Sequence, residues 1–455
     1  MRMESLEDRR VLATFTVTNT SDAGPGSLRD AIAQANANNN SPAVIDVIDF
    51  GPLFSTPQTI LLTSGELSIT ESLVIEGPGA ELLSIDASGN DATPLVKDGQ
   101  GSRVLNIDDG TSNLISVTLA GATITGGDLG GFQLTPSGDR YLDESGGGIL
   151  SYENLSILNA VIEDNAIVAD LTADDPVPDY YSLSTRIEGG GVFFSGGFLN
   201  VSNSVIRNNL LLANYQGGDI GSSGLVEVYG VGVSTLTSAN IEIDSSVISG
   251  NESQVNITNT QSLQLPDNDV RGMSIFVKGS GIYVPAFSQL TVSRSWLHDN
   301  SGSLVGDSVG IDGNDNTVAI EGVGIYSMSS SLIENSTISG NSGIYDLQFL
   351  PETRWLDMSL QGGGAWITNS TVINSTISGN SLMTSLEDDA NFSTGSTFDN
   401  QIRSWGAGLY VAGNSRIAHT TIASNRLESE TDYLTVAHAG AGVWSTGNNV
   451  RVLGR

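Results

Sequence analysis

The chain of 455 residues contains no cysteine, so neither a disulfide nor a thiolate-held metal contributes to it. That absence suits a cytosolic protein or an exported bacterial one that does without thiols. Positive charge is scarce. Only 18 Lys and Arg stand against 51 Asp and Glu, for a formal net charge of −33, and Lys97 and Lys278 are the sole lysines. Such a surface repels other polyanions, which argues against nucleic acid and de-esterified pectin as partners. No apolar run approaches the ~18 residues that span a bilayer as a helix, so no transmembrane segment is expected. The first 13 residues lack the apolar stretch of a standard secretory signal.

What the chain has in quantity is glycine, 54 residues, and much of it is set in a repeat. Seven times a Gly-x-Gly-apolar stretch is followed, 16 to 19 residues later, by an Asn that closes a short segment like TISGN. The third glycines are Gly148, Gly191, Gly232, Gly281, Gly324, Gly364 and Gly408. The paired asparagines are Asn165, Asn209, Asn251, Asn300, Asn341, Asn380 and Asn425, and an eighth copy opens at Gly442. Asn-to-Asn steps of 44, 42, 49, 41, 39 and 45 residues contrast with the near-constant Gly-to-Asn interval. The variable length is therefore expected in a connector outside the repeated core. A continuous repeat overrides the prior of about three ordinary domains for this length and points to a solenoid.

Strand periodicity assigns faces within each unit. Before each asparagine, one face takes Ala160 and Ile162, then Ser204 and Ile206, Ser246 and Ile248, Ser295 and Leu297, Ser336 and Ile338, Ser375 and Ile377, Thr420 and Ile422. A small residue followed by an aliphatic one, repeated through the chain, reads as an interior stack. With coils about 4.8 Å apart, the asparagines line up in a column whose amides can pair from coil to coil, a structural ladder rather than a ligand site.

Upstream, Phe15 to Asn36 reads as a strand, a Gly-Pro turn and an amphipathic helix, with Ser27 as N-cap and Ala31, Ile32 and Ala35 on one face. This segment is expected to cover the open end of the first coil. From Thr59 to Gly127 short strands punctuated by Gly, Asn or Asp suggest two or three looser coils. The expected organisation is 1–13 as an N-terminal tag, 14–55 as a cap and 56–455 as the solenoid, with clear repeats from about 146.

The paired Gly-Gly-apolar and Asn-terminated motifs resemble the repeats of bacterial right-handed parallel β-helix proteins, including polymorphic outer-membrane proteins. Leu6, Glu7, Arg9 and Leu12 likewise resemble an LEPR-x-LL tag of exported bacterial proteins, with Asp8 where that tag has proline. The resemblance implies an all-β, right-handed parallel β-helix of about ten coils, of the pectate-lyase-like superfold, exported and acting extracellularly or at the cell surface. It does not imply an enzyme, because the scaffold also carries adhesins and passengers.

Lyase or glycosidase chemistry needs carboxylates and a base around one bond. The adjacent pairs Asp108–Asp109, Asp174–Asp175 and Asp388–Asp389 fall in expected turns or connectors, where solvated loops explain them. No Gly-His-Gly or Arg-Ile-Lys motif of the galacturonase type occurs.

Two constellations stand out as ligand candidates. Arg294, Trp296 and His298 share one outward face, followed by Asp299; together they suit a sugar acid, indole on the ring and guanidinium on the carboxylate, unless a connector folds over them. A second column holds Leu150, Phe193, Ser234, Tyr283, Tyr326, Trp366, Tyr410 and Trp444. It is either an exposed aromatic strip for a glycan or protein, or a covered or buried face; period two alone does not choose.

No cofactor is expected. The run Ile311 to Thr317 is oxygen-rich enough to suggest calcium, yet lacks EF-hand spacing, and an Asx-turn loop explains it. The reading is a non-catalytic exported protein with an adhesive, structural, glycan-binding or surface-protein-binding role, the alternative being a polysaccharide lyase or glycoside hydrolase. The last coil shows no cap in the sequence, which suggests either that the chain is a fragment or that another subunit covers that end by self-association. A C-terminal barrel of the kind an autotransporter needs is not recognisable.

Overall fold

The computed structural model describes residues 13–38, 45–131, 133–134, 140–172, 182–216, 223–236, 238–260, 273–309, 316–349, 356–388, 401–431, 436–446 and 450–453. The tag at Leu6–Leu12, the pair Asp174–Asp175, Asp389 and the run from Ile311 to Asp315 lie outside the described residues. The fold is a right-handed parallel β-helix, the hand expected for parallel crossovers between twisted strands.

One turn of the solenoid can be followed from Ile149–Ser151 through Asn154–Leu158, Val161–Glu163, Ala166–Thr172 and Ser182–Glu188 before it returns at Val192–Phe194. These segments belong to five sheets, here called C, A, B, D and E in that order. Sheet A has twelve strands, B and C ten each, D eight and E nine. Among the described residues every ladder is parallel except the short pairing of Gln133–Leu134 with Arg140–Ser145.

Sheets A, B and C form a three-sided prism. Its core stacks like residues over one another: Ile149, Val192, Val233, Ile282, Ile325, Ala365 and Leu409 from sheet C, and Ile162, Ile206, Ile248, Leu297, Ile338 and Ile377 from sheet B. The start is closed by helix Leu28–Ala37, whose N-cap Ser27 accepts a hydrogen bond from the Asp30 N–H and whose Leu28, Ala31, Ile32 and Ala35 are buried. Those four residues join the prism core, so the helix covers apolar ends that the first coil leaves unpaired.

The connector is not outside the repeated core, contrary to the sequence expectation. Its two flanks pair from coil to coil as sheets D and E, and they enclose a second core that includes Ile167, Leu211, Val255, Tyr345, Ile187, Val228, Val277 and Leu360. The chain is therefore a prism with a two-sheet arm along its side. The early coils are looser for the same reason. Strands Leu67–Ile69, Leu73–Glu76 and Leu83–Asp86 belong to sheets C, A and B, and sheet D opens only at Asp128–Gly130.

Prism and arm meet at a neck built from the repeated Gly and Asn. Each asparagine amide donates to the next coil's carboxamide oxygen: Asn209 to Asn251, Asn251 to Asn300, Asn300 to Asn341 and Asn341 to Asn380, all at 2.9 Å. The same oxygen also accepts the backbone N–H of the asparagine before it, as Asn300 Oδ1 does from Asn251 at 3.2 Å. The amide's second hydrogen goes to a sheet B carbonyl, Ile248 O for Asn300 at 3.1 Å. Facing the ladder, the third glycine of each unit leaves no room for a side chain. A Cβ on Gly324 would lie 2.4 Å from Gly364 O and 3.0 Å from Asn341 Nδ2. Sheet-to-sheet corners use left-handed residues in columns: Asn203, Ser245, Arg294, Asn335 and Asn374 turn from A to B with φ of 49 to 51°.

Candidate functional site

The aromatic column lies outside the prism core, because Ile282, Ile325 and Ala365 take the inward positions. It is nonetheless not an open strip. The glycine corner folds the outer face of sheet E against that of sheet C, and Tyr229 at the end of an E strand stacks on Tyr283 at 4.5 Å between centroids. The stack continues through Tyr326 at 5.5 Å, Trp366 at 4.8 Å and Tyr410 at 5.5 Å, then branches to Trp405 and Trp444. Tyr326 is 3% exposed and Tyr410 is buried, while Trp366 keeps one partly open edge and donates to Gln361 Oε1 at 3.1 Å.

Charged side chains from sheet E close the elbow further. Arg186 pairs with Glu188 and, at 3.6 Å, with Glu227, and lies 5.5 Å from the Tyr229 ring centroid. Lys278 pairs with Glu321 at 2.9 Å and sits 4.9 Å over Tyr326. Burial raises the Glu188 carboxyl above its usual range against the opposing pull of Arg186. Burial likewise pushes Tyr283 up to about 12 and raises Tyr229 and Tyr326. At neutral pH these phenols keep their protons; Tyr229 donates to Glu227 Oε1 at 2.8 Å, and Tyr326 accepts from Lys278 Nζ at 3.5 Å. The sheet E partners were missed in the sequence, although most occupy one column, the residue before each unit's first glycine, Glu188, Tyr229, Lys278, Glu321, Gln361 and Trp405, with Arg186 and Glu227 paired two residues earlier.

Trp296 and His298 are placed differently. Strand Trp296–His298 lies in sheet B between Val247–Ser249 and Thr337–Ser339, and Trp296 is 47% exposed. Its indole N–H donates to Ser339 Oγ at 2.9 Å, and the His298 ring stacks against it with centroids 3.8 Å apart. Asp299 holds the imidazole through Nδ1 at 2.7 Å. The indole is thus pinned from two sides while one face stays open.

Arg294 does not share that strand face, which corrects the expected grouping. It occupies the left-handed corner, with φ of 49°, and its guanidinium turns back to Asp244 one coil earlier. Hydrogen bonding from the Ser293 hydroxyl, then Arg294, holds the Asp244 carboxyl below its ordinary range. With that ion pair made and Asp299 beside the indole, the surface around Trp296 is not built to grip a sugar carboxylate.

Two acidic groups converge in the early coils. Asp108 and Asp109 meet the buried Glu153, and Asp91 and Asp98 meet the buried Asp128; within each group, carboxylate oxygens lie within 4.8 Å of one another. Both sets suit a hard cation in ligand type, and both are also tied to their own loops. Glu153 accepts from Ile115 N–H at 2.8 Å, and Asp128 accepts from Asp98 and Gly99 N–H at 3.1 and 3.2 Å.

Burial raises Asp128 to about 6 from 3.8. Between those values the folded chain holds a proton that the unfolded chain has lost, so stability falls as pH rises through the window and the gain is complete only below it. The stability of the wild type relative to Asp128→Asn is expected to drop by roughly 2 kcal/mol from pH 4 to pH 7. Urea unfolding of both proteins at the two pH values checks this, and a constant difference would refute it.

No protein-family model matches the chain, and no curated protein sequence matches it. Among solved structures it is similar to the A-module of the Azotobacter vinelandii mannuronan C-5 epimerase AlgE6. The identity is 12%, over 97% of this chain and 98% of that one, with a TM-score of 0.33. A likeness at that level says nothing about chemistry.

Proposed function

We propose that this β-helix is a non-catalytic, exported glycan-binding protein that works outside the cell or at its surface and takes neutral sugars on the Trp296 face. The observation that carries this reading is an exposed indole already held in place by Ser339 and His298. An amphipathic ring fixed before contact offers its face to a pyranose at little ordering cost. The Arg294–Asp244 pair and the exposed Asp299 favour uncharged sugars over uronates.

The test is binding of the full chain to a panel of neutral and acidic oligosaccharides, with and without calcium. Trp296→Ala is expected to weaken the best neutral ligand about tenfold, roughly 1.4 kcal/mol, while the thermal midpoint stays within about 1 °C. Unchanged binding by the variant, or preference for uronates, overturns the assignment.

A lyase or glycosidase reading draws on one observation, the convergence of Glu188, Glu227, Lys278 and Glu321 from neighbouring coils on the elbow between sheets C and E. Those groups are engaged with one another and with protonated tyrosines, which favours packing over catalysis. Release of unsaturated or reducing sugar ends by the purified protein would overturn the non-catalytic reading.

A further inference from the structure

The surface around Trp296 has a direction built into it. His298 covers one face of the indole and follows Trp296 on the same strand, so the other face looks back along that strand toward the corner between sheets A and B. Arg294 occupies that corner, but its guanidinium goes to Asp244 one coil earlier and so turns away from the indole. Sheet B carries the face onward residue for residue: Trp296 pairs with Thr337 and Thr337 with Thr376, while His298 pairs with Ser339 and Ser339 with Ser378. At the corner the next two coils place Asn335 and Asn374, with φ of 51 and 50°, and both are exposed. Neither carboxamide has a hydrogen-bond partner among the described residues.

We infer that an extended, β-1,4-linked neutral glycan lies here along the solenoid axis, one ring on Trp296, the next on Asn335 and Thr337, and a third on Asn374 and Thr376. This rests on the neutral-sugar reading of Trp296 and adds to it a path, a polarity and a linkage. Width sets the path. Strand Trp296–His298 is 3 residues long, so a second ring laid across it would meet His298 and then the exposed Asp299. Charge sets the polarity: toward the preceding coil the corner is taken by the Asp244–Arg294 ion pair, whereas the two following coils offer amides and hydroxyls. A carboxamide supplies both a donor and an acceptor, which matches adjacent hydroxyls on an uncharged ring. Glu334, beside Asn335 on the outer side of sheet A, disfavours a uronate at the second ring. Spacing sets the linkage. Coils repeat every ~4.8 Å, close to the length of one pyranose in a straight β-1,4 chain, so successive rings stay over successive coils. A coiling α-1,4 chain lifts off so flat a floor.

The experiment measures calorimetric binding of cellobiose, cellotriose, cellohexaose and maltohexaose to the full chain. Four proteins are compared: the wild type, Trp296→Ala, a corner variant (Asn335→Gly, Asn374→Gly) and a control (Asn159→Gly, Asn203→Gly) at the same corner in earlier coils. All four asparagines are exposed with positive φ, which glycine accepts, so folding is preserved, and circular dichroism verifies it. Wild-type affinity is expected to rise from cellobiose to cellotriose and then to level off, with maltohexaose at least tenfold weaker than cellohexaose. The control is expected to match the wild type. The corner variant is expected to bind cellotriose at least tenfold more weakly, and no better than cellobiose. An unchanged length series in the corner variant, with Trp296→Ala still weakening every oligomer, overturns the path and leaves the Trp296 site standing. Equal losses in corner and control variants, maltohexaose matching cellohexaose, or no binding of any cello-oligosaccharide also overturn the proposal. Oligomers that bind Trp296→Ala as tightly as the wild type would overturn the Trp296 reading itself.

Discussion

Replacing Asn300 with alanine is expected to cost about 4 kcal/mol of stability, since it strips partners from several fully buried groups at once. Asn251 loses the oxygen that accepts its backbone N–H at 3.2 Å and its amide at 2.9 Å, and the Ile248 carbonyl loses its donor. No water reaches the neck to replace them, because Asn251, Asn300 and Asn341 are all buried. Asn425 does the same work in only one direction among the described residues: it accepts from Asn380 and donates to Ile377, and it is partly exposed. Asn425→Ala should therefore cost about 2 kcal/mol. A solenoid is held by nearest-neighbour interfaces, so the Asn300 lesion is also expected to split unfolding into two steps. All five tryptophans lie at or beyond position 296, so fluorescence follows the later coils while circular dichroism follows the whole rod. Coincident transitions with less than about 1 kcal/mol lost would show that the ladder does not hold the neck.

The glycines opposite the ladder give the second large effect. Gly324→Ala puts a Cβ 2.4 Å from Gly364 O, which already accepts the Ile325 N–H at 3.1 Å, and 3.0 Å from the Asn341 amide. Neither neighbour can give way without breaking a ladder, and a loss of about 3 kcal/mol is expected. Gly442→Ala makes the same chemical change where the nearest atom is Ile422 Cγ2 at 3.5 Å. It should shift stability by less than about 0.5 kcal/mol. Neither position has a left-handed φ, so room at the neck is the variable under test. Equal denaturation midpoints for the two variants would mean that glycine recurs there for some other reason than close approach.

The two substitutions also explain why the repeat was so legible. Gly324 and Asn341 are 17 residues apart in sequence and face each other across one neck, so both are needed in every coil that carries an arm. The coils before Gly146 have little or no arm and show the pattern only loosely. Faces within a strand were legible too, since Ile206, Ile248 and Leu297 point inward by simple alternation. The helix cap at Ser27 followed from residue type alone.

Other features had no local signal. Tyr326 and Trp366 read as exposed or buried with equal ease, and the decision came from sheet E, whose Tyr229 and Lys278 fold over that face. Arg294 was read with its sequence neighbours, but its partner is Asp244, fifty residues earlier and one coil away.

By itself, then, the sequence determined the period of the winding, the inward side of each short strand and the residues that must sit at the neck. Those properties depend on single-residue conformation and on alternation along one strand, which are written locally. Tertiary structure decided which outer faces close on each other, which stay open to solvent and which charges meet. These depend on the angle taken at the glycine corner and on register between coils about forty residues apart, quantities that no stretch of the chain specifies alone.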